Sequence, residues 1–251
     1  MRLFLRAAGL CVWTAGCFAL WLLAVPGACL AGRFRAWRAR AQQLWSRGLC
    51  RVLGVRVRVV GVAPRGSFLL VANHLSYLDV IVLGGLAPCA FVAKAEVARW
   101  PVLGFLARTF GTLFVERENK RALGTLNRRV AERLAQGQAL VLFPEGTSTA
   151  GARVLPFRPA LLEPAAALGL PVCFAALRYA TPPGERPASE VVCWWGDMTF
   201  GAHVLELLRL AHVEATVFFG AEPIAAPDRK ALAVRLQAAV AERFEPLLRH
   251  A

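Results

Sequence analysis

The chain opens on an apolar stretch and only later takes on the rhythm of a folded domain. Ala7 to Gly32 carries no charge, and about 20 apolar residues suffice to cross a bilayer core as a helix. Pro26-Gly27 is expected to interrupt this run near its end, and Arg33, Arg35, Arg38 and Arg40 follow it. From Gly54 the pattern changes. Val55-Arg56-Val57-Arg58-Val59 alternates as a half-exposed strand does. Short apolar runs follow at Phe68–Ala72, Ala90–Ala93, Thr112–Val115, Ala139–Phe143, Val172–Leu177, Glu190–Trp194 and Ala215–Phe219. Helical spacing is read between them near 76–86, 101–109, 119–136, 158–168, 202–210 and 228–248. Strands alternating with helices predict an α/β fold, with a mostly parallel central sheet flanked by helices and an N-terminal membrane-associated helical segment. The boundary falls between residues 1–52, a helical anchor with a basic flank, and residues 53–251, the folded domain.

Charge and composition sharpen the membrane reading. Apolar residues make up 57% of the 251, and the 21 glycines raise that to about 65%, against about 45–50% in an ordinary soluble domain. The net charge is +14. Residues 1–78 contain 11 arginines and no acid, so this excess sits at the apolar end. That pairing favours anionic lipid over nucleic acid as a partner. Four of the seven tryptophans, Trp13, Trp21, Trp37 and Trp45, lie there too, and Trp favours the membrane interface. Three arrangements fit: a transmembrane helix with its arginine-rich side in the cytoplasm, a helical hairpin dipping into one leaflet, and a cleaved signal peptide. The seven cysteines form no C-x-x-C pair and are odd in number, so neither a zinc site nor a disulfide framework is expected, and reduced thiols suit the cytoplasm.

Candidate chemistry begins with what the chain lacks. It has no G-x-x-x-x-G-K and no G-x-G-x-x-G, and Gly146-Thr147-Ser148-Thr149-Ala150 misses the G-x-S-x-G elbow at its last position. Among four histidines, His74 follows the apolar strand Phe68–Ala72 and precedes Asp79 by five residues. A positioned imidazole takes a proton from a hydroxyl, and a carboxylate on its other nitrogen steadies the imidazolium. Five residues on one straight helix put side chains roughly 140° apart, so the two meet only if His74 stands in the turn before the helix. The same segment also reads as a helix start, with Ser76-x-x-Asp79 as a capping box.

Asn73-His74-x4-Asp79 is followed by Gly111-Thr112-Leu113-Phe114-Val115-Glu116-Arg117 and then by Phe143-Pro144-Glu145-Gly146-Thr147. These three blocks, in this order, resemble the glycerolipid acyltransferase family over roughly residues 50–220. The resemblance implies that 53–251 is an acyltransferase domain and the N-terminus its anchor on the cytoplasmic face of the inner membrane. It implies a fatty acyl transfer from acyl-CoA or acyl carrier protein to a lysolipid hydroxyl. The acceptor is 1-acylglycerol-3-phosphate, with lyso-ornithine lipid or another lysolipid as the alternative. No metal and no bound cofactor is implied. His74 would be the general base and Asp79 its orienting partner. Arg117 would hold the acceptor phosphate and Glu145 its glycerol-like part. Gly146 and Thr147 would complete the binding loop, and Lys94 would contact phosphate or the oxyanion. Two departures and one similarity bear on the acceptor. Ser148 stands where members often carry Arg, with Arg153 and Arg158 the nearest substitutes. Phe174 replaces a second proline in Leu170–Ala175. Cys193-Trp194-Trp195-Gly196-Asp197-Met198, with His203 beyond, is similar to bacterial members that acylate lyso-ornithine lipid. A non-catalytic, anionic-lipid-binding protein remains the alternative of another class.

Overall fold

The structure is a computed structural model that describes residues 1–116 and 120–247, except for the side chains of 120–123. Seven strands form one sheet in the order β1-β7-β6-β2-β5-β3-β4, with β1 at Val55–Val60, β2 at Leu69–Ala72, β3 at Ala90–Lys94, β4 at Leu113–Val115, β5 at Leu140–Leu142, β6 at Val172–Ala180 and β7 at Val213–Phe219. Strands β6, β2, β5, β3 and β4 run parallel. The β6–β7 pair is antiparallel, and β1 follows β7 in parallel. The sheet is therefore mostly parallel, with two strands reversed at one side. Strand β2 sits between β5 and β6 and is buried at every position because both its faces are covered.

Two long helices precede the sheet. α1 (Arg2–Leu30) and α2 (Phe34–Leu53) fold back on each other as a hairpin. α1 is long and apolar enough to cross a membrane. It continues through Pro26 to Leu30, where the sequence led us to expect an interruption. A proline removes one rung of the hydrogen-bond ladder, and the apolar residues on either side continue it. The hairpin is stitched. Trp13 Nε1 donates to Trp45 O at 3.0 Å, and Trp45 Nε1 donates to Thr14 Oγ1 at 3.1 Å. Gly48 makes room for the Trp13 indole, which a methyl group there would strike. α2 ends at Gly54, which adopts the left-handed conformation at φ 72° and turns the chain into β1.

The remaining helices are α3 (Leu78–Leu86), α4 (Leu103–Thr109), α5 (Lys120–Ala135), α6 (Glu163–Ala167), α7 (Ala188–Val191), α8 (Phe200–Arg209) and α9 (Arg229–Arg243). α2 packs on α3, and Phe18 of α1 meets Phe105 of α4 edge-on with ring centroids 5.3 Å apart. Arg6 docks α1 on the end of α8, donating to Leu210 O at 2.6 Å and Ala211 O at 3.0 Å. A cation there satisfies carbonyls left over by the helix.

Three sequence expectations give way. Glu190–Trp194 is not a strand. α7 starts after Pro187, and Val192 and Cys193 are fully buried in the turn that follows, so the apolar run records burial rather than pairing. The helix expected at 158–168 splits into a 3₁₀ turn at Pro159–Leu161 and the short α6, because Pro159 and Pro164 each lack an amide donor. The last helix stops at Arg243 rather than near 248.

Candidate active site

Four neighbouring parallel strands, β2, β5, β3 and β4, end at one edge of the sheet. The first and third blocks begin just past β2 and β5, Lys94 is the last residue of β3, and the second block runs through β4, so the candidates gather at the strand ends where α/β sheets place ligands. The turn after β2 is fixed first. Asn73 is buried and pairs with the backbone of β6, donating to Leu177 O at 3.0 Å and accepting from Leu177 N at 2.7 Å. Its side chain thus extends the β2–β6 ladder by one rung. His74 comes next, in the turn and not on the helix, since α3 begins only at Leu78. That placement brings the pair together: His74 Nδ1 lies 2.7 Å from Asp79 Oδ2.

Asp79 is fully buried and receives four donors. Oδ2 takes His74 Nδ1 and the amides of Leu75 and Ser76 at 2.7 and 3.0 Å. Oδ1 takes the Tyr179 hydroxyl at 2.7 Å. The helix-start reading and the catalytic reading are therefore served by one carboxylate. Asp79 holds its own turn and the imidazole at once, while Ser76 Oγ has no partner in the turn. The His74 ring stacks on Phe143 at 4.2 Å between centroids. Its Nε2 has no protein partner among the described residues, and its side chain is 21% exposed. An imidazole whose Nδ1–H is held by a carboxylate presents a free Nε2 lone pair to a ligand.

The third block grips the same turn from the other side. Glu145 Oε1 accepts the His74 amide at 2.7 Å, and Oε2 accepts the Leu155 amide at 2.9 Å. Burial pushes the Glu145 carboxyl up to about 7, against the pull of these two amides. The Thr149 amide donates to His74 O at 3.0 Å. Both backbone groups of His74 are thus bound by residues 145–149. Gly146 has φ 78°, and a Cβ there would stand 2.6 Å from Arg158 Nε. Arg158 therefore reaches the block that lacks its usual arginine, whereas Thr147 is exposed at the surface of the loop.

Lys94 is exposed at the end of β3 and pairs in register with Val115 of β4. β4 ends at Val115, and Arg117 lies outside the described residues.

Several contributors escaped sequence reasoning. Both tyrosines of the chain serve this turn: Tyr179 through Asp79, and Tyr77 through a 3.0 Å contact with His203 Nδ1. The other His203 nitrogen meets Cys193 O at 3.0 Å. The Trp194 amide donates to Leu75 O at 2.8 Å, and Ser148 Oγ donates to Trp194 O. The Cys193–Met198 segment is therefore tied to both the His74 turn and the third block. A tyrosine in an apolar strand was the one available signal for Tyr179, because a buried hydroxyl needs a partner. Burial, and after it the Asp79 charge, hold that hydroxyl protonated. Tyr179→Phe should lower kcat about tenfold, the worth of one charge-assisted hydrogen bond. KM and the circular dichroism spectrum should be unchanged, since the acceptor does not touch Tyr179. Steady-state kinetics checks this.

The Acyltransferase protein family matches residues 55–177. A lyso-ornithine lipid O-acyltransferase from Brucella abortus is 38% identical over 211 residues, covering 78% of this chain and 79% of that one. Another of the same name, from Rhizobium meliloti, is 39% identical over 70% of this chain, a stretch that spans 64% of its own length. A 1-acyl-sn-glycerol-3-phosphate acyltransferase from Neisseria meningitidis is 37% identical over 60% of each chain. The fold is that of the 1-acyl-sn-glycerophosphate acyltransferase PlsC from Thermotoga maritima, with a TM-score of 0.63 over 95% of this chain and 96% of that one at 19% identity. With the histidine–aspartate turn, the sheet around it and these relatives all in agreement, the chain belongs to the acyltransferase family.

Proposed function

We propose that this protein is a membrane-associated lysolipid O-acyltransferase of the cytoplasmic face, with lyso-ornithine lipid as its acceptor. The observation that carries the reaction is the His74–Asp79 pair with Nε2 open to a ligand. Nε2 takes the proton from the lysolipid hydroxyl, and the oxygen attacks the carbonyl carbon of an acyl thioester. The tetrahedral intermediate then collapses by breaking the carbon–sulfur bond, and the imidazolium returns its proton to the departing thiolate. No acyl-enzyme forms, which fits a chain without a serine elbow. The donor is acyl-CoA or acyl carrier protein, and no cofactor takes part.

The binding roles rest on position. Lys94 and Arg117 follow adjacent strand ends and would hold the acceptor's anionic group or the oxyanion, with Arg158 adding charge beside Gly146. Gly146 lets the loop backbone approach the acceptor, Thr147 faces solvent at its rim, and Glu145 fixes the loop against His74 beside the acceptor. Lyso-ornithine lipid is placed ahead of 1-acylglycerol-3-phosphate for one reason. The Cys193–Met198 segment, similar to that of enzymes acting on lyso-ornithine lipid, is bonded to the catalytic turn, and the relatives of that name match a longer stretch. The residues before 53 would serve as the anchor and the rest as the catalytic domain.

The test offers the purified protein, in detergent, radiolabelled palmitoyl-CoA with equal amounts of both acceptors. Diacylated ornithine lipid should dominate the product. Phosphatidic acid as the main product would reverse the order of acceptors. No product from either acceptor, with acyl carrier protein as donor as well, would sink the enzyme reading in favour of lipid binding alone.

A further inference from the structure

The basic flank of the hairpin converges on a defined place. Arg35 and Arg38, on the first turns of α2, face Arg129 and Arg133 on the last turns of α5. With Thr112 and Glu132 they line a cleft of about 390 Å³. Among the described residues Glu132 is the single carboxylate in its wall, and it leans to Arg128, 3.8 Å away and outside the lining. Among the described residues, none of the four guanidiniums has an ion pair, and only Arg133 has a side-chain hydrogen bond, to Gln138 Oε1 at 2.7 Å. Arg38 lies flat against Gly111, whose φ of 82° and missing side chain make the space. Burial, then the charges of Arg133 and Arg35, draw the Arg38 guanidinium down to about 10, and burial, then the charges of Arg35 and Arg129, lower Arg133. Like charges gathered in a half-buried cleft repel until an anion joins them. The tetrahedral oxygens of a phosphate accept from several guanidinium forks at once.

Location selects the source of that phosphate. The cleft stands where β4 begins, at the edge of the sheet opposite His74, so it is separate from the acceptor site. Phe34, in its wall, meets Trp21 of α1 with ring centroids 6.4 Å apart. Beyond Trp21, α1 exposes Leu22, Leu23 and Leu30. A cationic cleft at the border of an exposed apolar helix end is where headgroups lie when that end enters lipid. We propose that this cleft binds the phosphate of a bilayer phospholipid headgroup, and thereby sets how deep and at what angle the hairpin rests in the membrane.

The experiment keeps the whole protein in an uncharged detergent. Short-chain phosphatidylglycerol is titrated below its own micelle concentration, at constant ionic strength, and thermal unfolding and tryptophan fluorescence are read. Wild type should bind saturably and gain thermal stability. The double variant Arg38→Gln with Arg133→Gln should bind about 30-fold more weakly, at about 1 kcal/mol per arginine. Without ligand it should be at least as stable as wild type, because repulsion has been relieved, which excludes misfolding as the cause. The double variant Arg33→Gln with Arg40→Gln removes equal charge at the start of α2, outside the cleft, and should bind like wild type. Equal weakening of both double variants would overturn the site in favour of diffuse attraction. Inorganic phosphate binding as tightly as the lipid would overturn the headgroup assignment and leave a soluble phosphate as the ligand. No response in wild type would remove the site altogether. None of these readings depends on acyl transfer, so they stand or fall separately from the proposed reaction.

Discussion

His74→Ala should reduce acyl transfer by about a thousandfold or more, the usual contribution of a positioned general base. Nothing among the described residues replaces it. His203, also beside this turn, has both nitrogens engaged, by Tyr77 and by Cys193 O, and burial lowers its affinity for a proton. The variant should still fold. Asp79 keeps three of its four donors, and both backbone groups of residue 74 remain tied to the third block. Vesicle binding should therefore be unchanged. Added imidazole should restore part of the rate, since the space left on the Phe143 face fits a free ring. Single-turnover measurements with and without imidazole decide the matter. Retained activity in the variant would move the base elsewhere.

Asp79→Asn should cost nearly as much in kcat and almost nothing in stability. If the amide oxygen takes the place of Oδ2, it still accepts from His74 Nδ1 and from the amides of Leu75 and Ser76. The amide nitrogen then faces Tyr179, whose hydroxyl turns from donor to acceptor. Every hydrogen bond survives and only the charge is lost. Without that charge the imidazolium is not steadied, and a fall of about 10³- to 10⁴-fold is expected, as when the carboxylate of a catalytic triad is neutralised. Adding Tyr179→Phe strands the new amide nitrogen in a fully buried place. The double variant should then lose about 1–3 kcal/mol of stability, although Tyr179→Phe alone costs far less. Melting curves of the two single variants and the double variant test this non-additivity.

The His74–Asp79 pair was legible because the three blocks together resemble an acyltransferase, and the five-residue spacing lets the two meet only with the histidine in the turn before the helix. The mostly parallel sheet was legible from apolar runs alternating with helices, but the reversal of two strands at one side was not. β7 looks like any other strand in the chain, yet only pairing with β6 reveals that it and β1 run the opposite way. Glu145 was placed near the acceptor by its motif. That its two oxygens hold one amide of the His74 turn and one of the following loop depends on Leu155, ten residues on, which carries no mark in the sequence. Tyr179 lies 100 residues from its carboxylate, and no local pattern spans that distance. At 158–168 and 190–194 the apolar pattern recorded burial correctly and secondary structure wrongly, since prolines and a tight turn decided the backbone there.

The docking of Arg6 on the end of α8 fixes a topological property of the hairpin. One end of the hairpin is bonded beside the entrance to β7, and the other feeds directly into β1, the strand next to it. Entry and exit thus share one doorway. However far the bend at residues 31–33 reaches into lipid, the amino terminus stays on the side of the sheet. Insertion of that bend would then require no polar segment to be carried through the bilayer.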